Sequence, residues 1–177
     1  MQSTVVSSWN DFDPLKHAIV GRADFTCIPP SELATEAKIP DDSDMRGMWG
    51  PRPLRTIEQA NQQLDQLVSI LEGRGIRVDR PEPIQWNQAA ITPDFTTGSM
   101  FGCMPPRDVL LTVGKEILSA PMSFRCRYWE YLAYHSLMQR YFDEDPGFLW
   151  EQAPRPRLTD DSYQAGYFNE ITIEERL

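Results

Sequence analysis

A cysteine nucleophile needs a base or a positive field beside it, because the thiolate and not the thiol attacks. The chain offers three cysteines for that role, Cys27, Cys103 and Cys126, and two histidines as bases, His17 and His135. Cys27 stands just ahead of Pro29-Pro30 and Cys103 just ahead of Pro105-Pro106, both in stretches that read as loops. Cys126 lies between Arg125 and Arg127 on a stretch of helical spacing, where two guanidiniums would lower its pKa. Free cysteine is also among the most buried residue types, and each of the three reads first as a small apolar core residue. His17 falls in a predicted strand and His135 on the apolar face of a predicted helix, so packing or a satisfied hydrogen bond is the simpler role for both. No cysteine is paired with a histidine by its sequence context, and no catalytic residue is assigned.

Asp108 is the sharpest binding candidate. It follows Met104-Pro105-Pro106-Arg107 at the mouth of a predicted strand. A carboxylate there can hold a guanidinium through paired, charge-assisted hydrogen bonds. The plainer role is a strand-start aspartate that pairs with Arg107 or caps a turn. Other chemistries find no support. There is no CxxC pair and only two histidines, which argues against a structural zinc site, and no cofactor is implied. Gly98 to Gly102 lacks the lysine and the Ser/Thr that a phosphate-binding loop requires. The aromatic set Tyr128, Trp129, Tyr131, Tyr134, Tyr141 and Phe142 has no basic groove beside it and runs into Asp143-Glu144-Asp145, so it reads as core or interface and not as a stacking platform for bases.

The elements that must position these residues come in two rounds. Residues 3–8 and 15–21 are short apolar segments separated by a polar turn at Asn10 to Pro14, and Leu15 to Gly21 reads as a buried strand. Residues 28–54, rich in Pro, Asp and Gly, read as a long surface loop. Over 55–72, Ile57, Ala60, Leu64, Leu67, Val68 and Leu71 follow the spacing of one buried helix face. Thr56 and Gln59 have capping-box spacing, and Gly73 and Gly75 stop the helix. Ile76 to Pro81 is a predicted strand. The pattern then restarts with strands at 108–113 and 116–120 and a helix over 123–142 carrying Phe124, Tyr128, Tyr131, His135, Met138 and Phe142 on one face. Two rounds of a strand-strand-helix unit suggest a repeat architecture, and no final element is expected to close the second round before the Pro-Arg-rich stretch 153–161. Ile171 to Leu177 reads as the interior of an element.

A chain of 177 residues suffices for one domain with a real core. Its formal net charge of −9 makes nucleic acid and anionic membrane surfaces poor partners. The odd cysteine count argues against a disulfide framework, and no secretory signal or membrane-length apolar run is present. These features predict a cytoplasmic protein.

Several segments in order resemble the glycine amidinotransferase family. They are Ser7 to Leu15 with Ile19-Val20-Gly21-Arg22-Ala23; Val78-Asp79-Arg80-Pro81 with Thr92-Pro93-Asp94-Phe95; Met104 to Leu111, then Val113-Gly114, Glu116-Ile117, Ala120-Pro121-Met122, Arg125, Arg127 and Glu130-Tyr131; and Ala153-Pro154-Arg155-Pro156. The resemblance covers nearly the whole chain except a loop at about 31–54. It implies an α/β fold, a pseudo-fivefold α/β propeller of ββαβ units of which about two of five would lie in residues 1–177, the N-terminal portion of a single incomplete domain. It also implies a reaction without metal or organic cofactor. A cysteine thiolate attacks the guanidinium carbon of arginine, ornithine leaves, and the amidino group passes to an acceptor amine such as glycine.

By the same resemblance, the aspartate of the Pro-Arg-Asp segment contacts arginine, and that role carries over to Asp108. The family's catalytic aspartate, His-x-Asp and His-Cys segments have no match here, so the chain alone is expected to be inactive and marginally stable. Arginine and an acceptor amine are the expected partners, with a possible homodimer in the full-length form. Relatives serve creatine-type synthesis or bacterial specialised metabolites, cyanobacterial toxins among them. Two alternatives stand beside this one: a non-catalytic arginine-binding or interaction protein derived from the family, and an arginine deiminase-type enzyme.

Overall fold

The computed structural model describes residues 4–36, 42–44 and 46–163. The elements in chain order are strands β1 (His17–Ile19) and β2 (Cys27–Ile28), the short helix α1 (Leu33–Glu36), β3 (Gly50–Pro51), the long helix α2 (Leu54–Glu72), β4 (Arg77–Asp79), β5 (Ala90–Ile91), β6 (Thr96–Thr97), the one-turn helix α3 (Pro106–Val109), β7 (Leu110–Val113), β8 (Glu116–Ser119), helix α4 (His135–Glu144) and β9 (Leu149–Gln152). Among the described residues, no helix is long and apolar enough to cross a membrane.

The second expected round is present and complete. β7 pairs antiparallel with β8, and β8 pairs parallel with β9 after the chain has passed through α4. β9 therefore closes the round that was expected to stay open. The hairpin between β7 and β8 turns at Gly114 and Lys115, and Gly114 takes φ 59°, the left-handed conformation that a two-residue hairpin demands and glycine adopts without strain. The expected final segment, Ile171 to Leu177, lies outside the described residues.

The first round differs from expectation. The strands predicted on either side of α2 are present as β1 and β4, which pair parallel, but the segment at residues 4–8 is no strand beside β1. It crosses to the other round: Ser8 bridges Gly114, and the Val5 N–H donates to Asp145 Oδ2 at 3.0 Å. The stretch read as one long loop carries regular elements: β2 and β3 pair antiparallel across it and α1 lies between them. Residues 37–41 and 45 of that stretch lie outside the described residues.

Helix α2 begins at Leu54, after Pro53, so Thr56 sits inside the first turn and no side-chain cap forms. The N–H groups of Thr56 and Ile57 bond to the Pro53 carbonyl instead. At the other end Gly75 takes φ 77°, Gly75 N–H bonds Glu72 O and Ile76 N–H bonds Leu71 O, which is a Schellman ending. The apolar stripe is only half-buried, and Leu67 is exposed. Polar contacts fasten the helix: Asn61 accepts from the Ala23 N–H at 2.9 Å, and Asp65 pairs with Arg80 at 2.8 Å.

The predicted helix over 123–142 is α-helical only from His135. Before it the chain makes two 3₁₀ turns, Arg125–Arg127 and Glu130–Tyr134. The consecutive aromatics Tyr128 and Trp129 have modest helix propensity, and Trp129 leaves helical geometry at φ −105°, ψ 8°. The break rotates the buried face. Cys126, Glu130, Ala133, Tyr134, Leu137, Met138 and Tyr141 point inward, while His135 is exposed with its ring edge-on to Trp150. Tyr141 and Phe148 stack edge-to-face at 5.6 Å, and with Trp86, Ile117, Met138 and Val109 they form a core in which each large apolar side chain contributes about 1.5–3 kcal/mol by leaving water.

Candidate functional site

Asp108 sits in the one-turn helix α3, which runs directly into β7, so the strand predicted from residue 108 begins at Leu110. Pro106 opens that turn, where its missing N–H is no loss and its fixed φ suits a helix start. The Asp108 N–H bonds the Pro105 carbonyl at 3.2 Å, and the turn is tied to β8 when Ala120 N–H bonds Val109 O at 2.8 Å.

The approach to the turn is fastened from three sides. Cys103 bridges Arg22. The buried Tyr134 hydroxyl donates to Cys103 O at 2.9 Å. Gly21 lies so close that a Cβ there would fall 2.0 Å from Met104 O, so only glycine lets the two backbones meet.

The partner of Asp108 is Arg127 and not its neighbour Arg107. Arg127 Nη1 donates to Asp108 Oδ2 at 3.0 Å, whereas Arg107 stands 3.9 Å from Oδ1 with its side chain 94% exposed. Arg127 turns its other edge to Glu130: Nε donates to Oε1 at 2.9 Å and Nη2 to Oε2 at 2.7 Å. Residues three apart share a face in a tightly wound stretch, so the two 3₁₀ turns set this pair side by side. The guanidinium also lies 5.4 Å from the Phe101 ring centroid.

Glu130 is entirely buried. Burial pushes its carboxyl up to about 7, against the pull of Arg127, with Asp108 adding to the push and the Gly102 N–H opposing it. Burial works against the charge on Arg127 as well, but its bonds to Glu130 and Asp108 hold its pKa above the ordinary value. Sequence reading did not single out Arg127 and Glu130 as site residues. The signal was the three-residue spacing of opposite charges beside a cysteine.

The structure separates the three cysteines from nucleophile chemistry. All are free and buried. Burial raises each thiol: Cys103 to about 12, and Cys27 and Cys126 in the same direction. The expectation that Arg125 and Arg127 would lower Cys126 fails, because burial dominates and the charges of Glu32 and Glu130 add to it. His17 is bound to Asp79 and Tyr141. Among the described residues, no group of three or more His, Cys, Asp or Glu is placed to hold a metal ion.

No family model matches the chain. Curated proteins do. It is 36% identical over 170 residues to the mitochondrial glycine amidinotransferase of Gallus gallus, covering 92% of this chain and 38% of that protein. It is 37% identical over 170 residues to the L-arginine:L-lysine amidinotransferase of Pseudomonas savastanoi pv. phaseolicola, covering 94% of this chain and 46% of that protein. Among solved structures, an amidinotransferase of the saxitoxin biosynthetic pathway from Microseira wollei superposes with TM-score 0.82 at 34% identity, over 90% of this chain and 46% of that one. The inosamine-phosphate amidinotransferase of Streptomyces griseus superposes with TM-score 0.80 at 36% identity, over 91% of this chain and 46% of that one. The chain spans less than half the length of these relatives, and along nearly the whole of its own length it belongs to the amidinotransferase family.

Proposed function

We propose that this chain supplies the arginine guanidinium contact of an amidinotransferase, with Asp108 as the carboxylate that makes it. One observation carries this reading: Asp108 is held on a fastened turn with Oδ2 bonded to Arg127, while among the described residues Oδ1 meets only a distant, solvent-exposed arginine. A carboxylate fixed in this way can accept a guanidinium without first losing much freedom of its own.

In the full reaction a cysteine thiolate attacks the guanidinium carbon. The bond from that carbon to the ornithine nitrogen breaks, and ornithine leaves with a proton. The amidino group then passes from sulfur to the nitrogen of an acceptor amine, glycine or a similar amine, which loses a proton. The nucleophile is assigned to none of the three cysteines here, because their thiols stay protonated and buried. Residues 1–177 are then part of one pseudo-fivefold propeller domain. The β7-β8-α4-β9 round supports that architecture as one ββαβ unit. Three free cysteines suit a reducing compartment such as the cytoplasm. A homodimeric full-length form belongs to the same reading.

Calorimetric titration of the purified chain with arginine tests the contact. Asp108→Asn keeps the shape and removes the charge, and a loss of affinity of about tenfold or more is expected. Equal binding by the variant overturns the role of Asp108. Arginine binding without ornithine release would suit the chain as a binding portion lacking its nucleophile.

A further inference from the structure

We infer that Glu130 acts through Arg127 as a positioning and charge-compensating residue, keeping Asp108 oriented and net negative toward a guanidinium ligand. The inference rests on the role of Asp108 proposed above. Alone beside Asp108, the Arg127 guanidinium would neutralise the carboxylate and repel a second guanidinium. Glu130 prevents this by pairing with the other two nitrogens of the fork, Nε at 2.9 Å and Nη2 at 2.7 Å. One cation shared by two ionised carboxylates leaves the cluster with a single negative charge.

Exposure decides where that charge is felt. The side chain of Glu130 is 0% exposed and that of Arg127 14%, whereas Asp108 is 35% exposed. A buried carboxylate has no ligand of its own to reach, so the surplus is presented at Asp108. Arg127 also fixes which oxygen is open, since it occupies Oδ2. Its own position is set by Glu130 and by the Phe101 ring.

The support depends on the charge of Glu130. The groups that face it are Arg127, Asp108, the Gly102 N–H, the thiols of Cys103 and Cys126 and the phenol of Tyr134. The two thiols and the phenol stay neutral through the neutral pH range, because burial raises all three. Glu130, pushed up to about 7, is the member whose charge changes there. Affinity for a guanidinium at Asp108 therefore rises with pH through neutrality, above the range in which an ordinary aspartate titrates.

Two measurements on the whole purified chain test this: arginine affinity at pH 6 and pH 8, and the titration of the Asp108 carboxyl carbon by nuclear magnetic resonance. Glu130→Gln keeps hydrogen-bonding atoms beside Arg127 and removes the charge. At pH 8 the variant is expected to bind arginine about tenfold more weakly than the wild type, to lose the rise between the two pH values, and to lose the inflection that the titration of Glu130 gives the Asp108 carbon. Wild-type affinity, the same pH dependence and the same inflection of the Asp108 carbon near neutrality in the variant overturn the inference. If the wild-type chain binds no arginine, the role of Asp108 in binding fails, and the carbon titration alone decides the support by Glu130. Should the variant not fold, the wild type decides: the Asp108 carbon must show a second inflection where Glu130 titrates, and a single inflection overturns the inference.

Discussion

His17 Nε2 stands 2.7 Å from Asp79 Oδ2, joining β1 to β4 across 62 positions of the chain. Asp79 also accepts from the Tyr141 hydroxyl at 2.9 Å and from Arg140 at 2.7 Å, and pairs with Arg77 at 3.0 Å. One carboxylate thus fastens the first round of the fold to helix α4 of the second.

Asp79→Ala strands four cationic or polar partners around a half-buried site and is expected to cost about 3 kcal/mol, read as a lower denaturant midpoint. Burial works to raise the Asp79 pKa, but His17, Tyr141, Arg77 and Arg140 outweigh it and hold the carboxyl below its ordinary value. A depressed carboxylate contributes stability above its unfolded pKa and loses it as pH falls through the folded value. The wild type should therefore lose stability below about pH 4, and Asp79→Asn should lack that part of the loss. An unchanged acid limb in the variant would contradict the assignment.

Glu130 carries the opposite sign. Its folded pKa is raised from 4.5 to about 7, so its protonated form favours the folded state. That contribution is full below pH 4.5 and is lost as pH rises to about 7. Denaturant midpoints of the wild type should fall across this window relative to those of Glu130→Gln, by on the order of 3 kcal/mol at most. Parallel pH profiles would show that Glu130 titrates normally.

Gly21→Ala places a methyl 2.0 Å from Met104 O and 2.5 Å from Cys103 O, and both are backbone atoms. The segment leading to Asp108 must move to make room. A destabilisation of about 1–3 kcal/mol is expected, together with weaker arginine binding than the loss of stability alone explains. A variant as stable as the wild type would mean that the two segments separate freely.

The three thiols should resist modification. Cys27 and Cys103 are 0% exposed and Cys126 is 2% exposed. A disulfide reagent at pH 8 should titrate none of them in the folded chain within minutes and all three in denaturant. A fast-reacting thiol in the native chain would point to an accessible nucleophile that the fold does not show.

Several features were legible in the residues themselves. The spacing of Ile57, Ala60, Leu64 and Val68 marked α2, and the glycine at position 75 ended it, because periodicity and backbone freedom are local properties. The apolar runs on either side of Gly114 marked the strands β7 and β8 for the same reason. Asp108 was visible as a carboxylate after a proline-rich turn. The ordered segments from Ser7 to Pro156 indicated the family, which the relatives support along nearly the whole chain.

Other features depended on groups far apart in the chain. Arg127 and not Arg107 became the partner of Asp108, because α3 and the 3₁₀ turns bring residues 108 and 127 together while Arg107 points into water. Cys126 lost its expected activation because burial of a thiol outweighs two adjacent arginines, and burial is set by packing. The N-terminal segment crossed to Gly114 and Asp145 and did not pair with β1, a choice between strand partners that no local pattern encodes. Local sequence determined the stripe and the end of α2 and the runs that form β7 and β8. Tertiary structure decided which charges meet and which are removed from water, because charge interactions and desolvation depend on distances through space and not on separation along the chain.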